Sequence, residues 1–209
     1  MSIERRLLRG VTTYSAIVES ETNYLLKLTY FDERNRFFTL LNQSRAEIEA
    51  IVAYHLGLRS SKQCHVAEVE EWIHGTFNVC VPVRIEGSQR RVIIRFPLPY
   101  RVGEKVFPGN ANEKVRCEAG AYAWLQQECP SIPIPYLHGF GLSNGPHLHG
   151  LRYAMLWIRR RQQPSNYTPN HSLSFQNPFG SYLAMDYIEE SEGQMLSKTW
   201  DEYKGDKKV

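Results

Sequence analysis

Aspartate is scarce in this chain: four in 209 residues, Asp32, Asp186, Asp201 and Asp206. Chemistry that needs several aspartates, on metal ions or as bases, must find them among these four. Cysteine is equally sparse. Cys64, Cys80, Cys117 and Cys129 fall in no Cys-x-x-Cys or Cys/His ligand spacing. That excludes the common zinc and disulfide frameworks and reads as reduced thiols in an intracellular, cytoplasmic protein. No apolar run approaches the ~20 residues that span a bilayer, so no membrane partner is expected. The opening Met-Ser-Ile-Glu-Arg-Arg leads into no long apolar stretch, so no secretory leader is expected either. A strong charge of one sign is also lacking. Lys and Arg number 25 against 22 Asp and Glu, leaving +3, and a dedicated nucleic-acid binder is usually more basic on one face. Internal repeats and low-complexity tracts are absent. What is there is a globular mixture, 42% hydrophobic, which argues against disorder and suffices for a buried core.

Residues 1–62 read as a helical, semi-independent N-terminal extension. Ser44-Arg45-Ala46-Glu47 has the Ser-x-x-Glu form of a capping box. Ile48, Ile51, Val52 and Leu56 follow at helical spacing, with Gly57 as the stop. From Cys64 the grain changes. Val66, Val69, Trp72 and Ile73 lead to His74-Gly75-Thr76, and Val79, Val81, Val83 and Ile85 alternate strictly with other residues, the mark of a half-buried strand. A turn at Glu86-Gly87-Ser88 precedes the strand Val92-Ile93-Ile94-Arg95-Phe96, ended by Pro97 and Pro99. These three strands predict an antiparallel meander. Residues 111–129 form the clearest helix, with Val115, Ala119, Tyr122 and Leu125 on one apolar face. The proline-rich stretch from Pro130 to Pro135 cannot continue it. Tyr136 to Leu142 reads as a strand, 143–180 as a long insertion, Tyr182 to Ile188 as a last buried strand, and 191–209 as a polar tail. The fold class is α+β, with about five mainly antiparallel strands and one packed helix in residues 63–190.

Two places in this order carry chemistry. Gly75-Thr76-Phe77-Asn78 joins two strands, where a glycine lets backbone amides approach a phosphate; a plain hairpin turn is the other reading. Arg95 interrupts an apolar strand and needs a partner or solvent, since burying an unpaired cation is very costly; it is otherwise an outward-facing residue of an edge strand. Glu118 lies beside the apolar stripe of the next helix, where it either pairs or faces solvent. Together they make the strand cation and helix carboxylate that kinase-like folds use to hold nucleotide phosphates.

At these positions the chain resembles the N-terminal lobe of the aminoglycoside phosphotransferase (APH) family, a protein-kinase-like fold. The resemblance runs through His74-Gly75-Thr76-Phe77-Asn78-Val79, Ile93-Ile94-Arg95-Phe96-Pro97, and Lys114 to Ala119. It continues in Ser131 to Pro135 with the strand after it, and in Tyr182 to Glu189 as final strand and hinge. The insertion and Met195-Leu196-Ser197-Lys198-Thr199-Trp200 are similar to the fungal-type branch. The resemblance implies that the amides of Gly75, Thr76, Phe77 and Asn78 cover ATP phosphates. It implies that Arg95 stands where protein kinases carry a lysine and pairs with Glu118. Backbone groups around Asp186 to Ile188 would hydrogen-bond adenine, with Met185 behind the base. ATP is thus the implied cofactor, bound weakly, with magnesium not held by this chain alone. The implied partners are a nucleotide and, through the apolar underside of the lobe, another protein or a second copy.

The family's second lobe carries a His-Gly-Asp loop, an asparagine five residues later and a further metal-binding aspartate. Here His-Gly occurs at His74, His138 and His149, followed by Thr76, Phe140 and Leu151. No catalytic or metal-binding residue is therefore assigned. The expectation is a truncated APH-like kinase-fold protein, inactive as this chain. The alternatives are a pseudokinase-like module that binds a nucleotide or a protein, and an RNA-binding or scaffold protein whose one attraction is the basic run Arg159-Arg160-Arg161 beside Trp157. Should phosphoryl transfer occur, Glu189, Glu190 and Glu192 are the first carboxylates to consider.

Overall fold

The computed structural model describes residues 4–20, 24–88, 90–143 and 179–193. The N-terminal region is not all helix. It opens with a hairpin of β1 (Glu4–Arg6) antiparallel to β2 (Val11–Thr13), turned at Gly10, whose φ of 85° suits glycine. Helix α1 (Tyr14–Val18) follows, its first turn capped by the Thr13 hydroxyl accepting from the Ala16 amide. Then come α2 (Tyr24–Gln43) and α3 (Arg45–His55).

The capping box expected at Ser44 does not form: the Ser44 side chain makes no capping hydrogen bond. Ser44 is the single residue between α2 and α3, and its amide donates to Leu40 and Leu41 while its carbonyl accepts from Ile48. The backbone there (φ −97°, ψ 27°) is not the extended conformation that aims a cap side chain at the first turn. The stop at Gly57 does form. With Gly57 at φ 64°, the Leu58 amide donates to Ala53 and the Gly57 amide to Tyr54, closing α3 in a Schellman motif.

Two short strands, β3 (Cys64–Val66) and β4 (Ile73–His74), lie antiparallel to the two ends of β5 (Asn78–Ile85). Between them the chain makes a short 3-10 turn at Val69–Glu71. The buried Trp72 indole closes the excursion by donating to the Ala67 carbonyl at 3.0 Å. Strand β6 (Arg91–Pro97) completes the expected meander. Then come α4 (Pro99–Val102), α5 (Asn110–Glu128), β7 (Leu137–Gly141) and β8 (Tyr182–Asp186). The large sheet has six strands in the order β3-β5-β6-β8-β7, with β4 also on β5, and every pairing is antiparallel. The described residues thus form an α+β fold with five α-helices.

Strand alternation sorts the side chains onto two faces. Val79, Val81, Val83, Val92, Ile94, Phe96, Tyr182 and Ala184 face α2 and α3, meeting Phe37, Leu41, Ile48, Ile51 and Val52 in one core. Helix and sheet bury one another here, so the N-terminal helices share their core with the sheet. On the opposite face Leu183, Met185 and Leu137 pack on Val115 and Ala119 of α5. Buried Asn112, in the first turn of α5, accepts from the Ser143 amide at 2.9 Å and from the Ser181 hydroxyl. That one amide oxygen fixes the start of α5 against the ends of β7 and β8. Among the described residues no helix is long and apolar enough to cross a membrane.

Candidate functional site

Arg95 sits in β6 opposite Cys80 of β5 and Leu183 of β8, well inside the sheet rather than on its edge. Its neighbours Ile94 and Phe96 point into the α2–α3 core, so Arg95 is delivered to the α5 face by period alone. One turn beyond Val115, Glu118 comes off α5 toward it. Arg95 Nη1 and Glu118 Oε2 are 3.7 Å apart, and each side chain is about a quarter exposed (26% and 23%). Glu118 is shared: Lys114, four residues earlier on the same helix, donates to its other oxygen. With the Asn78 amide turned so that its oxygen faces the guanidinium, that oxygen accepts from Arg95 Nε at 3.1 Å and Nη2 at 2.6 Å. Arg95 is therefore braced from two sides. Asn78 takes its Nε and Nη2 edge, and Glu118 faces Nη1.

Cys80 lies beside this pair. Burial pushes its thiol up, Arg95 pulls it back and Glu118 raises it again. The group is thus a protonated, inert thiol at neutral pH rather than a nucleophile.

The turn before β5 behaves less like a phosphate cradle than its glycine suggested. Gly75 has an ordinary φ, and a β-carbon there would meet nothing within 4 Å. Its amide donates to the Asn78 carbonyl at 3.0 Å, as in a plain hairpin. Among the described residues the Thr76 and Phe77 amides take no backbone acceptor, and the Phe77 ring is half exposed.

At the other end of the face, Met185 is buried against α5 opposite Ile93. The Asp186 amide donates to Tyr136 and the Tyr187 amide to Arg91, whereas Ile188 has no backbone acceptor among the described residues. The Asp186 carboxylate is held by His138 Nε2 at 2.7 Å. Glu189 receives a two-pronged contact from Arg91, 2.9 Å from Nε and 2.6 Å from Nη2, and Arg91 stacks 3.8 Å over the Tyr187 ring. The hydrogen bonds from Arg91 hold the Glu189 carboxyl below its usual range, so it is a poor base.

Of the residues singled out in the sequence, the structure brings Asn78, Arg95 and Glu118 together and sets Met185 on the same face. Lys114 was not singled out, although its i, i+4 spacing to Glu118 was the signal. His138 and Asp186 are 48 positions apart, and only strand pairing joins them. Among the described residues no three His, Cys, Asp or Glu side chains gather as a metal site. The basic run at 159–161, the body of the insertion, Met195 to Trp200, His149, Asp201 and Asp206 lie outside the described residues. No family model, curated protein or solved structure matches the chain.

Proposed function

We propose that this chain is the nucleotide-binding lobe of an APH-like, protein-kinase-like fold, and that it binds the phosphates of ATP without transferring phosphate itself. The observation that carries the reading is the Arg95–Glu118 approach of 3.7 Å between the third strand of a meander and the helix that follows it. That is where kinases place the strand cation and helix glutamate that hold nucleotide phosphates. The residues around the pair fit such a group. The guanidinium, held by Asn78 and facing Glu118 only at 3.7 Å, would turn its looser Nη1 side to phosphate oxygens. Ile93 lies further along the same face above buried Met185, and the Ile188 amide is a donor just past the end of β8. ATP when bound supplies the transferable phosphoryl group; the chain's own residues bind and orient, and none acts as a base.

The test is calorimetric titration of the purified chain with ATP, with and without magnesium, alongside Arg95→Ala and Glu118→Gln. Saturable binding that drops about tenfold or more in Arg95→Ala supports the reading. A folded wild-type chain that takes up no ATP, or an Arg95→Ala variant that binds it equally well, overturns it.

A further inference from the structure

The sheet end that carries Gly75 and Thr76 has a second, opposite side. There the Leu7–Arg9 turn between β1 and β2, helix α2, the β4–β5 turn and α4 enclose a cavity of about 310 Å3. Four cationic side chains line it, Arg9, Lys27, Arg34 and Arg101, together with the rings of Tyr30 and Tyr100. They come from three separate parts of the chain, so their convergence is a property of the fold. On α2, Lys27, Tyr30 and Arg34 fall at i, i+3 and i+7 and share one helix face. The hairpin that supplies Arg9 is clipped to the same helix by Arg6, whose guanidinium lies 4.1 Å over the Phe31 ring.

Among the described residues none of the four cations forms an ion pair with a carboxylate. Arg101 is nonetheless fixed: it donates to the Thr76 carbonyl at 2.8 Å and lies 5.1 Å over the Tyr30 ring. Arg34 lies 5.3 Å over Phe31. The cavity also touches His74, whose imidazole is held below its ordinary value first by burial and then by Arg34 and Arg9. Like charges gathered around a cavity repel one another, a cost that a bound anion removes. The volume sits at the small end of ligand sites, which suits a compact molecule and not a folded partner or a polymer strand.

We propose that the cavity between the β1–β2 turn, α2 and the β4–β5 turn is a binding site for a small phosphate-bearing ligand. Arg9, Lys27 and Arg34 meet the phosphate oxygens, and Tyr30 and Tyr100, with ring centroids 5.5 Å apart, pack against the remainder. The site is separate from the Arg95–Glu118 pair, which projects from the other face of the sheet.

The experiment uses the full chain in an Arg95→Ala background, so that the strand–helix pair contributes nothing. Inorganic phosphate, inorganic pyrophosphate and a sugar phosphate are titrated by calorimetry, with circular dichroism confirming the fold. Pyrophosphate is expected to bind saturably and to weaken about tenfold or more on adding Arg34→Ala or Arg9→Ala. A sugar phosphate that binds more tightly than free phosphate identifies an ester as the ligand; equal binding identifies free phosphate. Lys27→Gln, a change near the start of α2, serves the same purpose if Arg34→Ala unfolds. The proposal is overturned if none of the three anions binds, or if binding survives Arg9→Ala combined with Lys27→Gln.

Discussion

Glu118 answers two cations at once: Lys114 on its own helix holds one carboxylate oxygen, and Arg95 on β6 stands 3.7 Å from the other. The pair links α5 to the centre of the sheet beside the small core of Val115, Ala119, Leu183 and Met185. Because both side chains keep about a quarter of their surface in solvent, the expected stability effect is small. Glu118→Gln is expected to cost about 0.5–1 kcal/mol in urea unfolding. Arg95→Ala is expected to cost about 1–2 kcal/mol, since its stem packing and its contact to Asn78 go as well. A loss above about 4 kcal/mol in either variant would mark the pair as a structural keystone instead.

The glycines separate into two kinds that a melting experiment distinguishes. A β-carbon at Gly139 would lie 2.2 Å from His55 Nδ1, and one at Gly141 would lie 2.2 Å from Tyr182 Cε1. Both rings are packed between α3 and the sheet, with Tyr182 only 2% exposed, so neither swings clear. Gly139→Ala and Gly141→Ala are each expected to destabilise by about 2–4 kcal/mol. Gly75→Ala, with an ordinary φ and open space around it, is expected to change stability by less than about 0.5 kcal/mol. Equal melting temperatures for Gly75→Ala and Gly141→Ala would contradict this division.

The meander and α5 were legible because each has an unbroken period, and the last strand because Tyr182 to Met185 is a short, continuously buried run. Val79-x-Val81-x-Val83 admits one face assignment, and the Val115–Ala119–Tyr122 stripe admits one helix orientation. The Arg95–Glu118 contact was legible for a related reason: a cation inside an apolar strand must find company. The N-terminal hairpin was not legible, because Arg6, Arg9 and Val11 show no alternation and the turn rests on Gly10 alone. Ser44 misled because a capping box specifies a helix start but not whether another helix ends one residue before it. The basic cavity lay beyond reach, since Arg9, Arg34 and Arg101 become neighbours only when the hairpin folds onto α2.

His55 gives the chain a pH dependence with a defined sign. Its half-buried ring lies between Gly139 and Tyr182, whose hydroxyl is 3.1 Å from Nε2. Burial first, then the nearby His138, lowers its pKa from 6.5 to about 4. Between those values the unfolded chain binds more protons than the folded one, so stability rises with pH there. The contribution is complete above about pH 6.5 and is lost as pH falls toward 4, on the order of 3 kcal/mol. Urea midpoints measured from pH 7 to pH 4 are expected to fall more steeply in the wild type than in His55→Gln. Parallel curves would show that His55 is not the titrating group.

The last prediction concerns turnover. Phosphoryl transfer requires an aligned acceptor hydroxyl and metal-borne neutralisation of charge as well as a grip on the phosphates. In the proposed reading Arg95, Asn78 and Glu118 would supply the grip alone. Three carboxylates of the described residues are committed: Glu118 to two cations, Asp186 to His138, and Glu189 to a bidentate contact with Arg91 that keeps it ionised and weakly basic. None of the three His-Gly pairs is followed by aspartate. Groups that act as a unit do not substitute for one another, so a phosphate grip without base and metal ligands beside it is expected to fall short by many orders of magnitude in rate. The 209-residue chain is expected to show no magnesium-dependent phosphorylation of aminoglycosides, choline or similar hydroxylated small molecules above a no-enzyme control, even where it binds ATP. Transfer of labelled phosphate from ATP that disappears in Arg95→Ala would refute this. Glu190→Gln and Glu192→Gln would then be the variants to assay for the missing base.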